Sequence, residues 1–146
     1  MGLIGTLYED SVVSVEAYKV DADNEAVTGT GVDMLGYSGV LFIGVVGKGE
    51  VATHSIKAQQ DSDSAFGTAA DLLGSAKSFA SAVATCGQVI LDIHKPQERY
   101  VRALLTVANL TTAGPALILA IKYGPVNKPT TNMAGELHVS PAEGTA

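Results

Sequence analysis

Few residues of this chain are of types able to do chemistry, and they are scattered. Asp92 and His94 stand two apart in QVILDIH, a spacing that puts both on one face of a β-strand, where they could offer two ligands to a metal ion. A third ligand is missing from the local sequence, and the distant His54 would have to complete the set; the remaining histidine, His138, lies near the C-terminal end. DSDSAFG at 61–67 spaces Asp61 and Asp63 as a calcium loop does, but lacks the glycine at the sixth position and the closing glutamate of an EF-hand. It reads as a turn built by Asp and Ser. No metal or cofactor is expected.

Phosphate and nucleophile motifs fail in the same way. GVVGKGE at 44–50 supplies Gly47 and Lys48 but puts Gly49 where a Walker loop needs a hydroxyl, and GTGVDM at 29–34 lacks the third glycine of a dinucleotide fingerprint. Neither a G-x-S-x-G elbow nor an S-x-x-K motif occurs. Cys86, among Ala84, Thr85 and Gly87, has no neighbouring cation to lower its pKa and reads as a small packing residue.

KPQERYVRALLTV at 95–107 holds the most concentrated polar chemistry. In a strand, Arg99 shares a face with Val101, Ala103, Leu105 and Val107, while Tyr100 and Arg102 share the other with Leu104 and Thr106. The arginines therefore point apart and do not converge on one substrate. Each is better suited to covering apolar surface with its stem or to pairing with a carboxylate at a protein interface. Arg99, Tyr100 and Arg102, with Tyr123 and Lys128 further on, are the candidate interface residues, and the chain is not expected to be an enzyme.

The elements that carry these residues are strands. With 146 residues, 47% of them hydrophobic and 16% charged, the chain suits one folded domain. Its 9 Lys+Arg against 15 Asp+Glu give a net charge of -6 with the cations spread singly, which argues against nucleic acid as a partner. The apolar runs VLFIGVV and ALILAI are far shorter than the roughly 20 residues of a membrane-spanning helix. A single cysteine excludes an intrachain disulfide, and no secretory signal is expected at the N-terminus.

Residues 11–20 alternate, with Val13, Val15, Ala17 and Lys19 on one face and Val12, Ser14, Glu16, Tyr18 and Val20 on the other. DADNEAVTGTG at 21–31 reads as a loop. VLFIGVV at 40–46 reads as a strand buried on both faces, turned by GKGE into VATHSIKAQ as a hairpin. Residues 68–86 fit a helical stripe and an alternating strand equally, so their type stays open. Residues 88–94, 98–107 and 116–124 read as three further strands. Regular turns between short strands predict an all-β fold, a β-sandwich or jelly roll over 12–124, with extended terminal arms at 1–11 and 125–146.

VTGTGVDMLGYSGVLFIGVVG, QQDSDSAFGTAADLLG, and KPQERYVRALLTV leading to ALILAIKYGP span about residues 12–125. In style and order they make the chain resemble the head decoration or cement proteins of tailed bacteriophages, such as the cement proteins of Bordetella podoviruses. The alanine-rich KSFASAVATCG departs from that pattern and leaves the strand count open. The resemblance implies a jelly-roll virion protein on the outer capsid surface, assembled in the host cytoplasm. It would tie neighbouring major capsid protein subunits together as a homo-oligomer, a dimer or trimer, with its terminal arms reaching across to neighbours. The alternative is a β-sandwich module for carbohydrate or a host surface. The lack of tryptophan and the spread of Tyr8, Tyr18, Tyr37, Tyr100 and Tyr123 along the chain weigh against that reading.

Overall fold

Alternating burial organises the chain into strands whose inward residues meet across a shared core. The computed structural model describes residues 6–47, 51–108, 110–127, 130 and 135. In chain order these form α1 (Leu7–Asp10), β1 (Ser11–Ala22), β2 (Glu25–Thr28), β3 (Val32–Asp33), β4 (Gly39–Val46), β5 (Ala52–Asp61), β6 (Ala70–Asp71), β7 (Lys77–Ser81), β8 (Gly87–His94), β9 (Tyr100–Val107) and β10 (Gly114–Tyr123). Two antiparallel sheets result, a four-stranded one ordered β1-β10-β4-β8 and a six-stranded one built on β2-β9-β5-β6. In the second, β3 pairs with β9 and β7 with β5. The fold is a β-sandwich of the jelly-roll class.

The core lies between the sheets. Val40, Phe42 and Val46 of β4 and Ile118 of β10 meet Ile56 of β5 and Val101, Leu105 and Val107 of β9, all nearly or wholly buried. Each such side chain contributes about 1.5–3 kcal/mol by leaving water. Gly44 permits the closest approach: a Cβ there would lie 3.2 Å from Ile56 Cδ1 and 3.4 Å from Leu105 Cδ1. β4 thus faces β5 across the core.

That placement corrects the expected hairpin. β4 pairs with β10 and β8, whereas β5 pairs with β9, β6 and β7, so the turn between them joins two sheets. A hairpin turned by GKGE would pair Val45, Ile43 and Leu41, outward in β4, with Ala52, His54 and Ile56, the inward set of β5, so the two core faces would not coincide. β10 and β8 offer apolar partners instead, matching Leu119 and Ile90 to Ile43. The outward residues of β4 are half-buried, and its inward ones fully buried, rather than both faces being sealed.

Two further readings change. The supposed loop at 21–31 contains β2, which pairs with β9 from Glu25↔Val107 to Thr28↔Leu104. Its Asp and Asn residues serve the turn before it, where Asn24 has φ +44°. Residues 68–86 form β6, β7 and tight turns, not a helix, because β5 offers open edge partners for Lys77–Ser81. Cys86 is exposed and not a packing residue.

The alternation of β1 breaks at Glu16. A bulge between Val15 and Ala17 lets Val15 pair with Leu119 and Ala17 with Ile118, so Glu16 and Ala17 both turn inward and Tyr18 turns out. The Glu16 carboxylate is 5% exposed yet satisfied. Its Oε2 accepts from Thr30 Oγ1 and Gly31 N, each at 2.9 Å, and its Oε1 from Ser14 Oγ at 2.6 Å. Thr30 N also donates to Glu16 O, while the preceding Gly29 N donates to Ala103 O of β9. Residues 29–31 therefore hold β1 of one sheet to β9 of the other.

Gly31 has φ +99° and lies under the Phe66 ring, with only 2.3 Å from a built Cβ to Phe66 Cε2, so no larger residue fits this crossing. Replacing Glu16 by alanine removes the acceptor shared by Ser14, Thr30 and Gly31; because Thr30 is exposed and Gly31 half-buried, water can take up part of the loss, and the change is expected to cost about 1–2 kcal/mol. Denaturant unfolding would register this as a lower midpoint with unchanged cooperativity; a midpoint within error of the parent would refute the role given to the carboxylate.

Candidate binding surface

Hydrogen bonds gather one end of the sandwich around the loop at 34–38. Met34 N donates to Arg99 O, Ser38 N to Tyr123 O, Lys95 N to Ser38 O and Val126 N to Gly36 O. The loop thus links the start of β9, the end of β10 and the exit of β8. Gly36, at φ +83°, makes the turn.

The candidate interface residues divide between this end and one sheet face. Arg99 lies just before β9 and binds Asp33 through both ends of its guanidinium, Nε to Oδ1 at 2.9 Å and Nη2 to Oδ2 at 2.7 Å. It also lies 5.2 Å from the centre of the Tyr100 ring. Its partner carboxylate is therefore in its own chain. The Arg99 hydrogen bonds draw Asp33 down from 3.8 to about 2, with Lys122 adding a smaller attraction. Lys122 donates to Asp33 O and sits 4.3 Å from the Tyr37 ring centre, and burial lowers its pKa.

Tyr123 reaches the same end from β10. Its ring crosses β4 over Gly39, where a Cβ would come within 2.3 Å of Tyr123 Cζ, and its hydroxyl donates to Asp92 Oδ1 at 2.7 Å. The ring stacks parallel to His94 at 6.1 Å. Burial first, and then the bond to Asp92, pushes the phenol up to about 12. Asp92 and His94 do share a face as expected, but Tyr123 is what they hold. Lys128 lies outside the described residues.

Arg102 stands apart, on the outer face of the six-stranded sheet. Its Nε and Nη2 donate to Gln59 Oε1 at 3.0 and 2.8 Å, over the Phe66 ring at 4.4 Å. Gln59 passes the chain to Asp71, which also binds Lys57. Arg99 and Arg102 do not converge.

His54 takes no part in a metal site. It is 1% exposed in the core, where its Nδ1 accepts from Ala108 N at 3.0 Å and its Nε2 consequently donates to Ser81 Oγ at 2.9 Å. Burial lowers its pKa and keeps the ring neutral. Among the described residues, no group of three His, Cys, Asp or Glu is placed to hold a metal ion. Asp61 spends its carboxylate on Asp63 N, Thr68 N and Thr68 Oγ1, bonds that close a turn.

Around the ordered polar residues the end is partly apolar. Leu7 is 67% exposed, Leu35 68% and Val126 79%. α1 is capped by Thr6, whose hydroxyl accepts from Glu9 N while Glu9 returns a bond to Thr6 N. Thr130 N donates to Glu9 O at 3.0 Å and its Oγ1 to Ser11 O at 2.6 Å, so the two terminal segments meet here. A shallow open cleft of about 600 Å³ runs alongside, from Leu72–Ser75 to Leu91–Gln97. Its lining contains no Tyr, Phe or Trp on which a sugar ring would stack.

Asp33, Tyr37 and Lys122 belong to this candidate surface and were missed by sequence reasoning. The available signal was local: Asp33 Oδ1 accepts from Leu35 N, an Asx turn legible in DMLG.

No protein-family model matches the chain, and no curated protein matches it. Among solved structures, the crystal structure of the PBSX exported protein XepA superposes with a TM-score of 0.59 at 16% identity, covering 98% of this chain and 47% of that one. The chain thus spans about half the length of that protein, and the two share a fold. A structure described as "CBM4 structure and function" aligns with a TM-score of 0.44 at 9% identity over 75% of this chain and 73% of that one.

The Asp33–Arg99 pair gives a pH test. A carboxyl lowered in the folded state lends stability that is present above about pH 4 and lost as pH falls through about 2. Both partners are well exposed, so the effect is small and weakens with salt. In Arg99→Gln, carboxyl NMR titration should show Asp33 moving up toward 3.8, and the stability difference from the parent should shrink on acidification through that window. An unmoved Asp33 midpoint would show that the pairing does not operate in solution.

Proposed function

We propose that this chain is a structural virion protein that binds the outer surface of a bacteriophage capsid and cements neighbouring major capsid protein subunits. The observation that carries the reading is a fold shared over 98% of the chain with the PBSX exported protein XepA. The sequence resemblance to phage cement proteins points the same way. The reading requires no chemistry, only a rigid scaffold and adhesive surfaces. A modest binding free energy per copy, repeated over a closed shell that unfolds cooperatively, suffices to stabilise it.

We assign capsid contact to the end of the sandwich around residues 34–38. Asp33 holds Arg99 there, beside Tyr100, and Asp92 holds Tyr123; the terminal segments 1–11 and 125–146, with Lys128, would add contacts to neighbouring subunits. Arg102 would contribute from the adjoining sheet face. Fixing each arginine on its own carboxylate or amide removes side-chain entropy before binding. The junction of Thr130 with Glu9 and Ser11 supports both segments acting together.

Mixing the purified chain with phage heads that lack it, followed by sedimentation, should yield co-sedimentation at a saturating copy number and a higher thermal-disruption temperature of the heads. A chain ending at Gly124 should keep its fold and bind more weakly. Failure of the full chain to sediment with heads would remove the capsid as partner, and binding to glycans in its place would move the assignment to the carbohydrate or host-surface reading.

A further inference from the structure

The two outer faces of the sandwich differ in kind. On the six-stranded sheet the outward residues form a polar ladder, Arg102 to Gln59 to Asp71 to Lys57, with Thr53, Ser55 and Thr106 beside it. On the four-stranded sheet the register places Val15, Leu119, Ile43 and Ile90 in one row across all four strands. The next row reads Tyr18, Leu117 and Val45 before ending in Gln88, and on the other side Ile121 and Leu41 lead to Asp92. Val15 is 54% exposed and Tyr18 and Ile90 63% each. Asp92, the one charged side chain these rows contain, is at the margin and held by Tyr123.

With strands about 4.8 Å apart and rows about 6.8 Å apart, the face has a flat footprint of roughly 400 Å². A contiguous apolar patch of that size falls within the roughly 300–600 Å² of the largest patch on a typical monomer, and such patches are often functional. Two such faces, with side-chain relief added, remove on the order of 1,000 Å² from water, the threshold that a specific interface has to clear and the weaker end of specific association.

We propose that this face is the contact between two copies of the chain, packed sheet on sheet about a two-fold axis. Three features favour a second copy over a separately made partner. Lasting homodimer contacts are as apolar as a divided core, whereas surfaces that wait in water for another protein are more polar. Each copy carries a net charge of -6, so copies repel everywhere except through a face whose centre is uncharged. The edge route is obstructed on the β1 side, where two register shifts, between Val15 and Ala17 and between Lys19 and Ala22, twist the strand away from a straight partner. The proposal does not rest on the capsid reading.

The test uses the full chain in solution. Equilibrium sedimentation should give the mass of two chains. Ile90→Lys and Val15→Lys place a solvated charge at positions already more than half exposed, so each should keep the parent's circular dichroism while self-association weakens at least about a hundredfold. Thr106→Lys, on the outer face of the other sheet, should remain a dimer. A parent chain that sediments as one copy at every concentration would overturn the proposal. So would folded Ile90→Lys or Val15→Lys chains that keep the dimer mass; if such dimers had also lost head binding, the face would belong to the capsid instead.

Discussion

A carboxylate held inside the sandwich sets much of the rest. Glu16 is nearly inaccessible to water; its carboxylate accepts from the Gly31 amide and the Thr30 and Ser14 hydroxyls, and the Lys122 charge acts on it without a direct hydrogen bond. Burying a carboxylate is costly unless such donors are fixed in place. The crossing at 29–31 supplies them, and in doing so it joins the sheets. The same bulge shifts the register of β1, so that Ala17 packs inward and Tyr18 faces out. Without it, strict alternation would bring Ala17 and Lys19 to the outer face in place of Tyr18 and shorten its apolar area by a row. One buried ion thus governs both the closure of the core and the character of an outer surface.

The sequence pattern was a good guide to strands and a poor one to their partners. Residues 88–94, 98–107 and 116–124 are short apolar-rich runs bounded by turn residues, and β8, β9 and β10 fall there. The inward set Ala52, His54, Ile56 and Ala58 was equally legible, since only one register hides all four. Pairing was not, because GKGE is as suitable for a turn between sheets as for a hairpin. The difference lies in long-range matches such as Ile43 with Leu119 and Ile90, which no local window contains. A bulge likewise leaves no mark in a binary pattern: Glu16 looks like an ordinary polar position until its donors, fourteen and fifteen residues away, are in place.

The same limit applied to the candidate surface. Strand alternation separated Arg99 from Arg102, as the structure does, but the groups that fix them and Tyr123 were invisible. Asp33 is 66 residues from Arg99, and Asp92 is 31 from Tyr123. Gly39 was a glycine in a strand with no stated purpose until the Tyr123 ring was seen to need its missing Cβ. The end of the sandwich is therefore preorganised by contacts between distant segments, leaving its cations and aromatic rings on well-defined supports. The polar outer face of the larger sheet is similarly braced, whereas the apolar outer face of the smaller one has only its neighbours within the sheet.

The strand order also bears on how the protein is made. β10 lies between β1 and β4, so the first long strand and the fourth are joined only through the last. Until residue 123 has left the ribosome, the smaller sheet has no centre, and β1 has no partner along its length. Folding must then close a loop of about a hundred residues, an entropic demand that slows such topologies. Meanwhile VLFIGVV waits exposed on a nascent chain, within reach of chaperones and of other chains on the same message. The smaller sheet can close only after β10 has emerged, so a chain cut short of that strand would yield an aggregating fragment, not a smaller working domain.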